Sequence, residues 1–282
     1  MQIASGQVAV ITGAGSGIGR GLARAAASRG MKVVASDVEQ PTLDETVALV
    51  RDEFGVDAIG VRTDVSDAED VQRLCDAAYA EFGQVNLLCN NAGVFSGGLM
   101  WERSIADWQW VMGVNVYGIV NAINAFVPRL LEADQPAHIV NTASMGGLVT
   151  GAYSGPYFTS KFAAVGLSDC LAQDLRTTGK PIGVSVLVPS LINTNIGTSG
   201  RNRPERFTDR QHEKGEDAIF VEQMLADSTA AGMSPDDVAE LVFAAVNNDQ
   251  FWIPTKPSYH DQIRERYDDM QQLRLPTPPM LD

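Results

Sequence analysis

A tyrosine and a lysine, Tyr157 and Lys161, stand four residues apart in a stretch whose pattern predicts a helix. At this spacing both side chains lie on one helix face. A phenol titrates near pH ~10 and is a poor base at neutral pH, but an adjacent ammonium lowers that pKa and makes the phenol a usable acid or base. The pair therefore predicts proton transfer. Because solvated helix faces also show this spacing, the prediction depends on the rest of the chain.

A glycine-rich segment, residues 12–19, lies between an apolar run and an amphipathic stretch. It fits the pattern T-G-x-x-x-G-x-G and does not fit G-x-G-x-x-G. At such a strand-to-helix turn, the backbone N–H groups of the helix N-terminus can bind a dinucleotide pyrophosphate. The alternative is a tight turn of purely structural use. Glycine costs conformational entropy, however, so this density of glycines favours a ligand that must approach the backbone.

An aspartate, Asp37, ends the second predicted strand. A carboxylate at this position accepts a hydrogen bond from the ribose 2′-OH of a dinucleotide and repels a 2′-phosphate. Ser16 and Val38, which flank the same site in such folds, are uncharged. The sequence therefore favours NAD over NADP, the alternative being that Asp37 is only a turn residue.

Short apolar runs alternate with longer amphipathic stretches over residues 8–186. This rhythm predicts an α/β fold with a doubly wound parallel sheet covered by helices on both faces. The predicted strands are residues 8–11, 32–36, 58–62, 85–89, 137–142 and 182–188. The predicted helices between them are residues 18–29, 41–54, 67–82, 104–132 and 156–178.

The alternation of strands and helices ends at Pro189. Residues 190–233 are mostly polar, with one apolar-periodic piece near 218–225. A helix over residues 235–246, with Ser234 as its N-cap, and a last strand over 251–253 are predicted to follow. We therefore predict one domain over residues 1–254 and a proline-containing tail over 255–282 that adds no second core.

The charge balance limits the classes of partner. The chain has 282 residues, with 21 Lys and Arg against 35 Asp and Glu, and a formal net charge of −14. Such a chain is repelled by phosphate backbones and anionic lipid, so neither nucleic acid nor a membrane surface is expected as a partner. An anionic cofactor can still bind through backbone N–H groups.

The cysteines and histidines give no sign of a disulfide framework or a metal site. The cysteines lie far apart and predict reduced core residues, and the histidines are isolated from other ligand types. The chain begins with no basic segment followed by a long apolar one, and no run approaches the ~18 apolar residues of a membrane span. We expect a cytoplasmic protein without a metal. The residues concerned are Cys75, Cys89, Cys170, His138, His212 and His260.

Two further features complete an ordered set of motifs. An Asn-Asn-Ala-Gly motif, residues 90–93, follows the fourth predicted strand, and Ser144 precedes Tyr157 by thirteen residues. Together with the glycine segment, they make residues 7–194 resemble the short-chain dehydrogenase/reductase family. The resemblance implies a single-domain Rossmann-type fold and hydride transfer between a secondary alcohol or ketone and a nicotinamide cofactor. With Asp37, the implied cofactor is NAD.

The resemblance also implies four catalytic residues. Tyr157 would exchange a proton with the substrate oxygen, and Ser144 would hydrogen-bond that same oxygen. Lys161 would bind the nicotinamide ribose hydroxyls and lower the pKa of the tyrosine. Asn115 would bend a helix and anchor a water molecule for proton relay.

The positions that the resemblance assigns to the cofactor come from three regions and from the Tyr157–Lys161 pair. The glycine segment would hold the pyrophosphate, residues after the second, third and fourth strands would hold the adenosine, and residues after the sixth strand would hold the nicotinamide. These positions are Gly13, Ser16, Gly17, Ile18, Gly19, Asp37, Asp64, Val65, Asn91, Ala92, Gly93, Tyr157, Lys161, Pro189, Ile192 and Thr194.

The implied substrate pocket lies between the loop after Asn91, the segment after Ser144 and a lid over residues 190–233. Its residues are mostly apolar, which predicts a bulky lipophilic or aromatic secondary alcohol or ketone. The alternative is that the lid residues only cap the core. The expected substrate contacts are Ser144, Met145, Tyr153, Tyr157 and Ser190, and the further wall residues are Val94, Phe95, Leu148, Val149, Ile196, Phe220, Met224 and Leu225.

Two features of the lid region remain open in the sequence. Ser190 follows Pro189 where the family usually has glycine, so the resemblance does not predict the local backbone shape. Arg201, Arg203 and Arg206 either bind a substrate carboxylate or form a solvated basic patch, and we favour the patch.

The predicted helices over 104–132 and 156–178 match those that pair across two-fold axes in relatives, so the resemblance implies a homodimer or homotetramer. A carbonyl reductase and a polyol or sugar dehydrogenase of the same family stay open as alternatives. So does a catalytically silent NAD-binding regulatory protein, although the complete set of four catalytic positions argues against it.

Overall fold

The computed structural model describes residues 1–208, 214–257 and 259–278. Within them the strands form one parallel sheet in the order β3-β2-β1-β4-β5-β6-β7. The predicted doubly wound parallel sheet is confirmed. The strands are β1 (Val8–Thr12), β2 (Lys32–Asp37), β3 (Ala58–Arg62), β4 (Leu87–Asn90), β5 (Ala137–Thr142), β6 (Ile182–Val188) and β7 (Trp252–Pro254).

Helices cover both faces of this sheet and begin or end within two residues of most predicted bounds. The predicted helix over 104–132 is the exception, because a π-helical turn, Gly113–Tyr117, divides it into two. The helices are α1 (Gly17–Ser28), α2 (Gln40–Phe54), α3 (Ala68–Phe82), α4 (Ile105–Met112), α5 (Gly118–Ala133), α6 (Gly155–Thr178), α7 (Glu216–Ala230), α8 (Pro235–Asn247) and α9 (Tyr259–Gln271).

The central strand β1 shows why the strands are apolar on both sides. Ala9 and Ile11 pack into one core with α1, α2 and α8, whereas Val8 and Val10 pack into a second core with α3, α5 and α6. Side chains alternate between the two faces of a strand, and both faces are covered by helices here. The continuous apolar runs of the sequence follow from this double burial.

The strand order reverses beside β1, and this point positions the site. β1 pairs with β2 on one side and with β4 on the other. The connections from these strands leave in opposite directions, so a crevice opens at their carboxyl ends. The glycine segment follows β1, Asp37 ends β2, and the Asn-Asn-Ala-Gly motif begins at the end of β4.

The two ends of the segment predicted as a lid lie side by side. Ile192 forms an isolated parallel bridge with Met233. The N–H of Asn193 donates to the Met233 carbonyl at 2.9 Å, and the N–H of Met233 donates to the Leu191 carbonyl at 3.1 Å. Between these ends lie two short 3₁₀ segments, Ile196–Asn202 and Glu205–Phe207, and helix α7.

The tail contains a helix, α9, that the sequence did not predict. Ile263 of this helix packs against Met145 and Val149. The guanidinium of Arg266 lies 4.8 Å from the centre of the Phe162 ring. α9 therefore packs on the loop after β5, next to the site.

Two predictions about apolar segments need correction. Cys75 and Cys89 are buried as predicted, but Cys170 is exposed on α6. The helical run over residues 105–133 is long and apolar enough to span a membrane by length and composition, although no such run was predicted. More than half of its most apolar window, 56%, is buried inside the protein, which is typical of a core helix.

A buried histidine, His138, links β5 to β6. The Ser185 hydroxyl donates to the Gln250 carbonyl at 2.7 Å, so the Nε2–H of His138 donates to Ser185 Oγ at 2.7 Å. Nδ1 is buried without a hydrogen-bond partner among the described residues and lies 4.0 Å from an Asp249 carboxylate oxygen. Burial, aided by the charge of the chain's N-terminus and opposed by Asp249, lowers the pKa of His138 from 6.5 to about 4.

We predict that this histidine makes the protein sensitive to acid. Between pH 6.5 and 4, His138 is protonated in the unfolded chain but stays neutral in the folded chain. The free energy of unfolding therefore falls by about 3 kcal/mol as the pH drops through this window. Urea unfolding of the wild type and of His138→Gln at pH 7 and pH 4.5 measures the effect. The variant should lose less stability than the wild type, whereas the exposed control His260→Gln should behave like the wild type.

Candidate active site

A cavity of about 550 Å³ lies at the carboxyl ends of the strands. Residues of the glycine segment line one end of it, and Tyr157 and Lys161 line the other. Motifs more than 130 residues apart in sequence therefore share one cavity, because parallel strands bring their carboxyl ends to the same edge of the sheet.

The glycine segment forms a cradle that side chains would fill. Gly13 and Gly17 have φ values of +67° and +51°, which favour glycine. A Cβ on Gly19 would lie 2.0 Å from the Gly13 carbonyl oxygen. Gly13, Gly17, Ser16 and Ile18 line the cavity, whereas Gly19 packs behind the segment.

The N-terminus of α1 faces this cradle without a side-chain cap. Ser16 occupies the N-cap position, but its hydroxyl makes no capping hydrogen bond. The first-turn N–H groups of a helix need an acceptor, and an anion can provide it. The cradle and the uncapped helix end together fit the pyrophosphate of a dinucleotide.

Asp37 is fixed next to the cradle. Its Oδ2 accepts from the Gly15 N–H at 2.8 Å, and its Oδ1 accepts from the Glu39 N–H at 3.0 Å. These bonds orient the carboxylate at the mouth of the crevice, where it lines the cavity. The position is the one expected for a group that contacts the adenosine ribose.

The floor of the cavity is held by Asn91. Its side-chain N–H donates to the Thr12 carbonyl at 2.9 Å, and its backbone N–H donates to the Thr12 hydroxyl at 3.0 Å. This joins the ends of β1 and β4. The other predicted cofactor positions on the cavity wall are Asp64, Val65, Ala92, Gly93, Pro189, Ile192 and Thr194.

At the other end of the cavity the half-buried phenol of Tyr157 hydrogen-bonds to Ser144. The Phe95 ring packs edge-on against the Tyr157 ring, with 5.1 Å between centroids. Burial raises the pKa of Tyr157, and the Ser144 hydrogen bond offsets part of this rise. Tyr157 therefore keeps its proton at neutral pH and can donate it.

Lys161 lies beneath the tyrosine and is itself buried. Its ammonium donates to the Thr142 carbonyl at 2.9 Å and lies 5.7 Å from the centre of the Tyr157 ring. Burial lowers the pKa of Lys161 from 10.5 to about 8. The resemblance implied a tyrosine pKa lowered by this lysine, whereas burial of the phenol raises it in this structure.

Asn115 lies in the π-helical turn and does not reach the cavity wall. Its Oδ1 accepts from the Val94 N–H at 2.8 Å. Its Nδ2 donates to the Val94 carbonyl at 3.0 Å and to the Ser160 hydroxyl at 2.9 Å. The side chain thereby ties the loop after β4 to α6, the helix that carries Tyr157 and Lys161.

The substrate-side wall contains the predicted contacts Met145, Tyr153 and Ser190. Tyr153 has a φ of +62° and a side chain that is 47% exposed. Of the further predicted wall residues, Leu148 and Val149 do not line the cavity, because Val149 packs under α9 instead. The predicted wall residues that do line it are Val94, Phe95, Ile196, Phe220, Met224 and Leu225.

The lining also includes residues that were not predicted from the sequence, among them Glu39, Phe158 and Pro278. Phe158 directly follows Tyr157, and this adjacency was an available signal. Pro278 reaches the cavity because the tail folds back, with the Thr277 N–H donating to Asp269 at 2.8 Å. Only tertiary structure reveals that contact.

The three arginines of the lid do not form the predicted basic patch. Arg201 pairs with Glu39, Arg203 with Asp107 and Arg206 with Asp64. Each acid belongs to the part of the chain that precedes the lid. The arginines therefore hold residues 201–206 across the crevice.

The described residues contain no group of three His, Cys, Asp or Glu side chains placed to hold a metal ion. His138 is engaged in the core, and His260 lies on the surface. His212 lies outside the described residues.

Comparison with known proteins extends this picture. A solved short-chain dehydrogenase/reductase from Burkholderia phymatum, in complex with NAD, is 43% identical, covers 99% of each chain and superposes with a TM-score of 0.96. A dehydrogenase/reductase of CLA biosynthesis from Lactiplantibacillus plantarum is 32% identical over 92% of this chain and 91% of its own. A 1-deoxy-11-beta-hydroxypentalenate dehydrogenase from Streptomyces exfoliatus is 34% identical over 96% of this chain and 91% of its own.

The sequence profile of the short-chain dehydrogenases matches residues 7–205, which include the glycine cradle, the Asn-Asn-Ala-Gly motif and the Tyr157–Lys161 pair. The predicted resemblance is confirmed, and the chain belongs to the short-chain dehydrogenase family of oxidoreductases.

Proposed function

We propose that this chain is an NAD-dependent dehydrogenase that transfers a hydride between a secondary alcohol or ketone and the nicotinamide, with Tyr157 as the acid or base. The observation that carries the proposal is the single cavity that holds both the uncapped glycine cradle and the Ser144–Tyr157–Lys161 cluster. The glycine cradle fits a dinucleotide, and the side chains of the cluster can transfer a proton.

Each step at the protein is assigned to a side chain. Ser144 and Tyr157 bind the substrate oxygen together, and Tyr157 donates a proton to a carbonyl oxygen or takes one from an alcohol. Lys161 supplies a positive charge below the phenol. The bound nicotinamide provides the carbon that accepts or donates the hydride. Catalysis then rests on positioning and electrostatics.

The substrate side of the cavity favours a bulky lipophilic or aromatic alcohol or ketone. Phe95 and Phe158 pack near Tyr157, and Met145 and the lid residues Phe220, Met224 and Leu225 line the same cavity. Relatives named as acting on such compounds are consistent with this class, among them the pentalenate dehydrogenase. Reduction of a carbonyl is a second candidate direction, because Tyr157 carries its proton at neutral pH and can donate it to the carbonyl oxygen.

A screen for NADH formation tests the proposal. The panel holds aryl carbinols, steroids, terpenoid alcohols and polyols, and the matching ketones are offered with NADH. We expect turnover with members of the first three classes. Turnover confined to polyols would contradict the substrate class, and no turnover with any member, while NAD binds, would favour a silent binding protein.

The preference for NAD is proposed from Asp37, and the NAD complex of the Burkholderia phymatum relative supports it. We predict that Asp37→Ala lowers the ratio of NADP to NAD dissociation constants by at least about tenfold, because the variant loses a ribose hydrogen bond and a repulsion toward a 2′-phosphate. Calorimetric titration with both cofactors measures the ratio. The exposed control Asp44→Ala on α2 should leave it unchanged.

We further propose that the protein works in the cytoplasm as a homodimer or homotetramer. Helices α4 to α6 carry the faces that the resemblance implies for pairing. A groove beside them is lined by Trp108, Met112, Tyr117 and Phe207, and Tyr117 is 58% exposed. An exposed apolar surface of this kind is typical of an interface.

A further inference from the structure

The charged residues that line the cavity are unevenly distributed. Among the described residues they are Asp37, Glu39, Asp64, Lys161 and Arg201. Lys161 lies below Tyr157 and donates to the Thr142 carbonyl at the end of β5. Arg201 is therefore the cation that lines the cavity near the carboxyl ends of β2 and β3.

Arg201 is held between the lid and the sheet. Its Nε and Nη2 donate to the two carboxylate oxygens of Glu39 at 3.0 and 3.2 Å, a bidentate pair. Its Nη1 donates to the carbonyl oxygens of Asn195 and Thr198 at 3.3 and 3.1 Å. The backbone bonds of Nη1 fix the guanidinium even without Glu39.

Glu39 places this pair next to the ribose-facing aspartate. The Glu39 N–H donates to Asp37 Oδ1 at 3.0 Å, so the two acidic residues share one turn after β2. The charges of Glu39 and Arg201 cancel each other. The turn after β2 therefore has one net negative charge, that of Asp37. An incoming 2′-phosphate would meet that charge and an arginine already engaged.

We propose that Glu39 is a second determinant of cofactor choice, which acts by occupying Arg201, and that Arg201 is a latent binding group for the 2′-phosphate of NADP. The inference rests on the proposed preference for NAD. A guanidinium binds phosphate oxygens with the same fork geometry that it offers to a carboxylate. Removing the Glu39 carboxylate therefore frees a matched partner for the phosphate.

Calorimetric titration of NAD and NADP against a variant series tests the inference. The series is Glu39→Gln, Asp37→Ala, the double variant, and the double variant with Arg201→Met. We expect Glu39→Gln alone to tighten NADP binding. The double variant should bind NADP about tenfold more tightly than Asp37→Ala does, and Arg201→Met should abolish that gain.

Arg206 supplies the matched control, because it lies in the same segment but pairs with Asp64. Arg206→Met in the double variant should leave the NADP gain in place, and added salt should weaken the gain. Because Asp37→Ala itself weakens NAD binding, the thermal unfolding midpoint of each variant shows that its fold is intact.

The outcomes separate the inference from the proposed function. If the wild type binds NADP as tightly as NAD, the proposed cofactor preference is wrong, and the inference falls with it. If the wild type prefers NAD but Glu39→Gln gives no gain for NADP, or the gain survives Arg201→Met, the inference alone is wrong.

Discussion

Replacing Tyr157 by phenylalanine should lower turnover by about 10³-fold while leaving the dissociation constant for NAD within a factor of about two. The change removes one hydroxyl, which hydrogen-bonds to Ser144 and would move the proton of the reaction. The ring remains, so its edge contact with Phe95 persists and the cavity keeps its shape. Steady-state kinetics and calorimetric titration with NAD measure the two quantities.

Tyr153 offers a control of the same chemical change in the same cavity. It lines the wall but is half-exposed, and the residue four positions after it is Tyr157 rather than a lysine. Tyr153→Phe should therefore change kcat by no more than a few-fold. Equal losses in both variants, or full activity in Tyr157→Phe, would contradict the assignment of Tyr157 as the acid or base.

Replacing Lys161 by methionine should make the protein less active and more stable. Activity should fall by about 10²-fold or more, because the charge below the phenol is lost. Burial lowers the pKa of Lys161 from 10.5 to about 8. At neutral pH the ammonium is therefore still charged, and its burial destabilises the folded state. Removing the charge should raise the free energy of unfolding at pH 7 by about 1 to 2 kcal/mol, after the lost bond to Thr142 is subtracted.

The pH dependence of stability gives a separate measure of the same group. Between pH 8 and 10.5 the unfolded chain keeps a proton on Lys161 that the folded chain has released, so wild-type stability gains a rising contribution across this window. Urea unfolding at pH 7, 8 and 9.5 should show that contribution in the wild type and in the surface control Lys180→Met, but not in Lys161→Met. A variant that is less stable than the wild type at pH 7 would refute the idea of a strained buried charge.

The parts of the fold that could be predicted are those set by local patterns. β3, β5 and β6 have the predicted bounds, since each strand is a short apolar run between turn residues. Tyr157 and Lys161 share a helix, so their spacing alone places them together. The glycine cradle is likewise contained in one turn.

The parts that could not be predicted depend on partners far apart in the chain. The π-helical turn is held by bonds from Asn115 to Val94 and Ser160, 21 and 45 residues away, within a continuous apolar pattern. Arg201 lies 162 residues from Glu39 in the sequence, so its ion pair was not predictable and it was interpreted as part of a solvated basic patch. α9 is stabilised by packing on the loop after β5 more than by its own polar sequence.

The closure of the lid at Ile192 and Met233 has a consequence for variation within the family. The two ends of residues 193–232 meet at one bridge, so the number of residues between them does not change the pairing of the sheet strands. The entropy cost of closing a loop grows only slowly with its length. The length of this region can therefore change at little cost, provided that its contacts with the rest of the protein are kept: the three arginine ion pairs, the bond from Phe95 to Ser199, and the bonds from Leu99 and Arg103 to Asp217.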